Sequence, residues 1–132
     1  MAAIPDAYLD LFQQKKAFAN LATVMQDGTP QVTPVWFDYA DGKLRVNTAR
    51  GRVKARTLRP GARVALAITD PENPYRYLQV RGRVLNVTEQ DADAHIDSLA
   101  KKYLGQDKYP FRQPREVRVK CEIEPMSAQG VA

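Results

Sequence analysis

A chain of 132 residues, 44% hydrophobic and 27% charged, can bury one core and is too short for two comfortable ones, so a single domain over residues 1–132 is expected. No run approaches the roughly 18 apolar residues of a membrane span, and the opening MAAIPDAYLDLF lacks the basic and apolar segments of a secretion signal, so a cytoplasmic protein without membrane contact is expected. The single cysteine, Cys121, excludes an intrachain disulfide, and with the single histidine, His95, it cannot build an ordinary zinc site.

Asp6 to Lys16 places Tyr8, Leu11 and Phe12 at helical spacing behind Pro5, which predicts a short amphipathic helix lying on the core as a lid. Ala17 to Met25 is apolar on both alternating faces and predicts a strand buried on two sides; Asp27-Gly28 then supplies a tight hairpin. The return strand, Pro30 to Tyr39, carries Gln31, Thr33, Val35 and Phe37 on one face and Val32, Pro34 and Trp36 on the other. Pro34 has no N–H for a ladder, so a bulge or a sheet edge is expected, with backbone groups left free from Thr33 to Trp36.

Asp41-Gly42 marks the next hairpin, and Leu44, Val46 and Thr48 share one face of a third strand. A short basic helix follows and stops at Pro60-Gly61, and Arg63 to Thr69 alternates as a fourth strand. A long fifth strand, Tyr75 to Val87, sets Tyr75, Tyr77, Gln79, Arg81 and Arg83 against Leu78, Val80, Gly82 and Val84. Its polar face is suited to a ligand or another subunit. Thr88 with Asp91 resembles a capping box, opening a main helix whose apolar stripe (Ala92, His95, Ile96, Leu99, Tyr103) runs to a stop at Gly105. After a loop containing Tyr109 and Phe111, the last strand places Val117, Val119, Cys121 and Ile123 inward and Glu116, Arg118, Lys120 and Glu122 outward. The expected fold is mainly β (α+β), a small six-stranded antiparallel barrel with short helices outside it.

The net charge of +5 is local. The stretch KLRVNTARGRVKARTLRPGAR, Lys43 to Arg63, holds eight Lys or Arg and no acid, which leaves 12 basic residues against 15 acidic ones elsewhere. A strand that delivers Asn47 and Thr48 to a turn, with Arg50, Arg52 and Lys54 behind them and a helix start beside them, supplies the donors and cations that a phosphate needs. A solvated charged face and a nucleic-acid surface are the other readings of such a run. The aromatic residues are not interleaved with the basic ones as a base-stacking surface requires, which argues against nucleic acid. Cys121 and His95 both belong on core faces, which disfavours a nucleophile–base pair, so redox chemistry would fall to a cofactor.

Three segments, LATVMQDGTPQVTPVWF (Leu21 to Phe37), LRVNTARGRVKARTLRPGARVALAITDP (Leu44 to Pro71) and YRYLQVRGRV (Tyr75 to Val84), resemble the flavin- and deazaflavin-binding split β-barrel proteins related to pyridoxamine 5′-phosphate oxidase. The PVWF and TARGRVKARTL segments look most like the branch that uses coenzyme F420, a 5-deazaflavin hydride carrier, rather than FMN. The resemblance implies a homodimer with two cofactor sites at its interface. It places Thr48, Arg52 and Lys54 on the cofactor phosphate with Arg50 nearby, and the ring system against Gln31, Val32, Thr33, Pro34, Val35 and Trp36. Tyr77, Gln79 and Arg81 of the second subunit are implied to flank the ring. The family often has Asn where this chain has Thr57, and no counterpart of the oxidase's substrate-binding tail is present. The implied reaction is hydride transfer to an electron-poor small molecule such as a quinone, an enone or a tetrapyrrole. An FMN oxidoreductase, and a non-catalytic cofactor carrier or nucleic-acid binder, stand as alternatives.

Overall fold

Alternating apolar and polar residues assemble into one seven-stranded antiparallel sheet in the computed structural model, which describes residues 3–131. The strands are β1 (Ala19–Val24), β2 (Pro30–Val35), β3 (Asp38–Ala40), β4 (Lys43–Ala49), β5 (Arg63–Asp70), β6 (Asn73–Thr88) and β7 (Arg118–Val131), in spatial order β2-β1-β5-β6-β7-β4-β3. Three helices accompany them: α1 (Leu9–Gln13), preceded by a 3₁₀ turn at Asp6–Tyr8, α2 (Val53–Thr57) and α3 (Ala92–Leu104). The single-domain reading over 1–132 extends to Met1, Ala2 and Ala132, which lie outside the described residues.

Seven strands form where six are expected, because the strand anticipated over Pro30 to Tyr39 divides at Trp36 and Phe37. The Phe37 N–H donates to the Tyr103 hydroxyl at 3.2 Å, and the Phe37 carbonyl accepts from Lys102 Nζ at 2.8 Å. Both backbone groups are thus satisfied by α3 instead of by a neighbouring strand. The Tyr103 hydroxyl in turn donates to the Ala17 carbonyl at 2.6 Å. Since β2 and β3 are the two ends of the sheet and only Trp36 and Phe37 join them, the sheet curls until its edges approach without closing. The result is a split β-barrel.

The inward face follows the sequence pattern closely. Leu78, Val80, Gly82 and Val84 of β6 are buried, as are Leu44, Val46, Leu66, Ile68, Cys121 and Ile123, while Tyr75, Tyr77, Gln79, Arg81 and Arg83 face out. Burial pushes the Cys121 thiol up to about 12, so it packs as an inert apolar group. Leu11 and Phe12 lay α1 on this core, and Arg76 tethers the helix by pairing with Asp10 at 2.6 Å and Asp70 at 2.8 Å.

Three local expectations are corrected, and a fourth is resolved. β1 is buried on one side only: Ala19, Leu21 and Thr23 face the core, whereas Asn20 and Val24 have no covering layer. Of the bulge or edge expected at Pro34 the edge is found: Pro34 pairs in regular register with Asn20 on an edge strand, where its missing N–H costs no ladder bond. No capping box opens α3. Asp91 sits at φ 61° without a side-chain cap, and the Thr88 hydroxyl accepts from Gln90 N in a local turn. In β7 the alternation fails at its start, where Val117 is exposed and Arg118 is buried.

Gly82 stands where β6 and β7 shift register. A Cβ there would lie 2.7 Å from Ile123 Cγ2 and 2.8 Å from the Glu124 carbonyl oxygen, a backbone atom that cannot rotate away. Gly82→Ala is therefore expected to destabilise the fold by about 1 to 2 kcal/mol through overpacking. Urea denaturation measures it, and an unchanged midpoint would mean that the two strands part freely at this point.

Candidate functional site

Helix α3 covers the outer face of β4 and β7, which a period-of-two reading assigns to solvent. Its Ile96, Leu99 and Tyr103 form a second, smaller apolar cluster with Trp36 and Tyr109. The segment after α3 is strapped back onto it, because Asp97 accepts from Tyr109 N at 2.8 Å and from Arg112 Nη2 at 3.0 Å. Asp93 accepts from Arg112 Nη1 at 2.6 Å. Between this strap, the edge strand β2 and the start of α2 lies a cleft of about 230 Å³.

Aromatic side chains wall the cleft: Phe18, Trp36, Tyr109 and Phe111. Trp36 stacks face to face on Tyr103, with centroids 5.2 Å apart and planes 5° from parallel, and meets Tyr109 edge-on at 6.0 Å. That contact fixes the indole beside the opening. Arg52, whose side chain is 50% exposed, and Lys54 stand at the rim. Gly51 enables the turn that brings them there, at φ 89°, a conformation costly for any residue with a Cβ. Burial, and secondarily the charge of Arg52, push the Lys54 ammonium below the usual lysine range.

Arg118, only 3% exposed, lines the same cleft from below. Its Nε donates to Asn47 Oδ1 at 2.8 Å, its Nη1 donates to Glu116 Oε1 at 3.1 Å, and its guanidinium lies 5.2 Å from the centre of the Tyr109 ring. Arginine can only donate, so the Asn47 oxygen must face it and the Asn47 amide NH₂ must point the other way. That NH₂ donates to the Ala92 carbonyl at 2.9 Å and to His95 Nδ1 at 3.1 Å. His95 Nδ1 is therefore an acceptor, and Nε2–H donates to Asp38 Oδ1 at 3.2 Å. Asp38 also accepts two bonds from Arg45, at 2.8 and 2.7 Å. Burial pushes the Asp38 carboxyl up, but the bonds from His95 and Arg45 outweigh it and hold the group down at about 2. His95 is thus a satisfied link in a buried chain.

Glu116 joins floor to rim. Its side chain is 6% exposed, and while Oε1 takes Arg118, Oε2 accepts from Arg52 Nη2 at 3.3 Å. Arg52 and Arg118 thus share one carboxylate, and with Lys54 beside them the cleft keeps a positive surplus. Arg115 precedes it at φ 65°, a left-handed backbone without glycine, which costs about 1 kcal/mol or more.

Of the residues expected at a cofactor site, the cleft gathers Pro34, Val35, Trp36, Arg52 and Lys54. Gln31, Val32 and Thr33 lie farther along β2 and do not line it. Arg50 is exposed and pairs with Glu89 at 2.8 Å. The Thr48 side chain faces the barrel interior, where Oγ1 is buried without a partner, so its hydroxyl does not reach the rim. Tyr77, Gln79 and Arg81 stand on the outer face of β6 and do not line the cleft of their own chain. Helix α2 is one turn long, so the cations there act through their side chains and not through a helix dipole. Phe18, Phe111, Glu116 and Arg118 carry no local signal that marks them; only the covering helix reveals Arg118 and Glu116.

A family profile described as pyridoxamine 5′-phosphate oxidase matches residues 4–130. Among curated proteins none matches the chain. Among solved structures, an F420 reductase is 33% identical, with 96% of this chain and 98% of that chain covered at a TM-score of 0.80. A conserved hypothetical protein of Mycobacterium tuberculosis is 21% identical over 98% of this chain and 85% of its own, with a TM-score of 0.71. An FAD and heme binding protein of Mycobacterium smegmatis is 15% identical over 98% and 71%, also at 0.71. The last two likenesses concern the fold alone. A match over nearly the whole chain, on a split barrel with its cleft at the open edge, shows that this protein belongs to the pyridoxamine 5′-phosphate oxidase family.

Proposed function

We propose that this protein is an oxidoreductase of one cofactor-binding domain that holds coenzyme F420 in the cleft and works as a homodimer. Membership of the family and the likeness to an F420 reductase support an oxidoreductase with a flavin-type cofactor. The observation that carries the reading is the meeting, in one cleft, of aromatic walls that accept a planar ring with a rim and floor bearing Arg52, Lys54 and Arg118 against the single carboxylate of Glu116. A phosphate-bearing planar ligand fits that donor set. Arg52 and Lys54 take the phosphate in this reading, and Pro34 to Trp36 line the ring. When bound in its reduced form, the deazaflavin supplies a hydride; quinones, enones and tetrapyrroles are the acceptors proposed.

A single chain provides too little room. The cleft's volume of about 230 Å³ falls below the roughly 300 to 1,000 Å³ typical of cofactor pockets. A second copy that brings its own β6 face would enlarge the site, and the exposed Tyr75, Tyr77, Met126 and Val131 supply apolar area for such an interface. The basic stretch is a poor nucleic-acid surface, because Arg45, Arg50 and Arg52 are already paired with Asp38, Glu89 and Glu116. No helix among the described residues is long and apolar enough to cross a membrane.

Fluorescence titration with F420, and in parallel with FMN, tests the reading. Saturable binding with preference for F420 is expected. Preference for FMN, visible also as a yellow preparation, would change the cofactor and keep the site; binding of neither would overturn the proposal.

A further inference from the structure

An arginine buried beneath a cleft is costly unless every donor finds a partner. Arg118 is only partly satisfied. Its Nε is taken by Asn47, and its Nη1 by a carboxylate that Arg52 shares. Nη2 makes no hydrogen bond to any described residue, yet it is not among the buried side-chain atoms left without a partner, where Thr48 Oγ1 stands alone. Nη2 therefore keeps contact with an open surface, and the surface that Arg118 lines is the cleft.

The guanidinium is also aimed. Asn47 holds Nε from one side, and Asn47 is itself fixed through His95, Asp38 and Arg45. The Tyr109 ring covers the guanidinium at 5.2 Å. A donor held this rigidly loses little entropy when a ligand arrives, and its planar fork matches an oxygen in the plane of a conjugated ring.

We propose that Arg118 is a ligand-binding residue, donating Nη2–H to a carbonyl or anionic oxygen on the planar group held in the cleft that Trp36 and Tyr109 line, with Asn47, His95 and Asp38 as the residues that position it. The inference rests on the cofactor reading for the identity of that planar group. The oxygen belongs either to the cofactor ring or to an acceptor stacked on it, and the two sources share the same chemistry.

The test uses the full-length chain and Arg118→Lys, which keeps the charge and the aliphatic stem but loses the fork; Arg118→Gln is the second variant, and melting curves of both accompany the titrations. If the oxygen is the cofactor's, F420 affinity falls by roughly 10- to 100-fold in Arg118→Lys, as for loss of a charge-assisted bond. Competition by inorganic pyrophosphate, which reads the Arg52 and Lys54 rim, is expected to stay within about twofold because the net charge is unchanged. A merely structural role would move both. If the oxygen is the acceptor's, F420 affinity holds and the KM for menadione rises by about tenfold or more. Unchanged F420 affinity and unchanged KM overturn the assignment of Arg118 and leave the cofactor reading standing. Should the wild type prefer FMN, the same comparison is made with FMN, and binding of neither cofactor overturns both proposals.

Discussion

Replacing Arg52 and Lys54 together by alanine is expected to weaken F420 binding by about two orders of magnitude or more, while the melting temperature barely moves. Lys54→Ala alone should cost about 1.5 to 3 kcal/mol of binding, the usual worth of a hydrogen bond to a charged group. The two losses need not add, since both cations line the same cleft and would act on one anion. The affinity should also depend on pH in a particular way. Burial and the charge of Arg52 lower the Lys54 pKa, and only the protonated amine attracts a phosphate, so binding should weaken on raising the pH sooner than an ordinary lysine would allow. An arriving phosphate opposes that shift and draws a proton onto Lys54. In Lys54→Arg the alkaline loss should disappear. Titrations across pH decide the matter: unchanged affinity in Lys54→Ala would remove this residue from the site, and an identical pH profile in the arginine variant would remove its titration.

Asp38→Asn is expected to cost about 2 to 3 kcal/mol of stability at neutral pH, the equivalent of holding a carboxyl near 2 that would otherwise titrate near 3.8. The folded pKa is depressed, so the stabilisation is fully present above the unfolded value. It is lost as the pH falls from about 3.8 toward about 2. Urea denaturation at neutral pH and at about pH 3, within that window, should show the gap between wild type and variant shrinking on acidification. A constant gap would mean that the carboxylate charge contributes nothing. The same substitution slackens His95 and, through Asn47, the guanidinium of Arg118, so it should also weaken binding in the cleft without touching the ligand.

Much of the architecture is legible along the chain. Period-two alternation identifies the inward residues of β4, β5 and β6, Pro34 points to an edge, and Gly105, at φ 71°, ends α3 where a helix stop is expected. The basic rim of the cleft is legible too, because Arg52 and Lys54 stand close together in the chain and follow a strand and a glycine turn. These features depend on neighbours in sequence. The division of β2 from β3 does not, since it is made by Tyr103 and Lys102, 66 and 65 residues from Phe37.

The floor of the site shows the same limit more sharply. Alternation places Arg118 and Asn47 on the outer face of their strands, and that assignment is correct as far as it goes. What covers the outer face is decided by α3, which turns two nominal surface residues into a buried chain running from Arg118 to Asp38. Likewise Thr48 shares its inward face with Leu44 and Val46, and only the assembled barrel shows its hydroxyl enclosed and out of reach of the rim. A strand's periodicity determines on which side of the backbone each residue lies; whether that side meets water, a helix or a ligand depends on contacts between segments far apart in the chain, and these exist only once the barrel has formed.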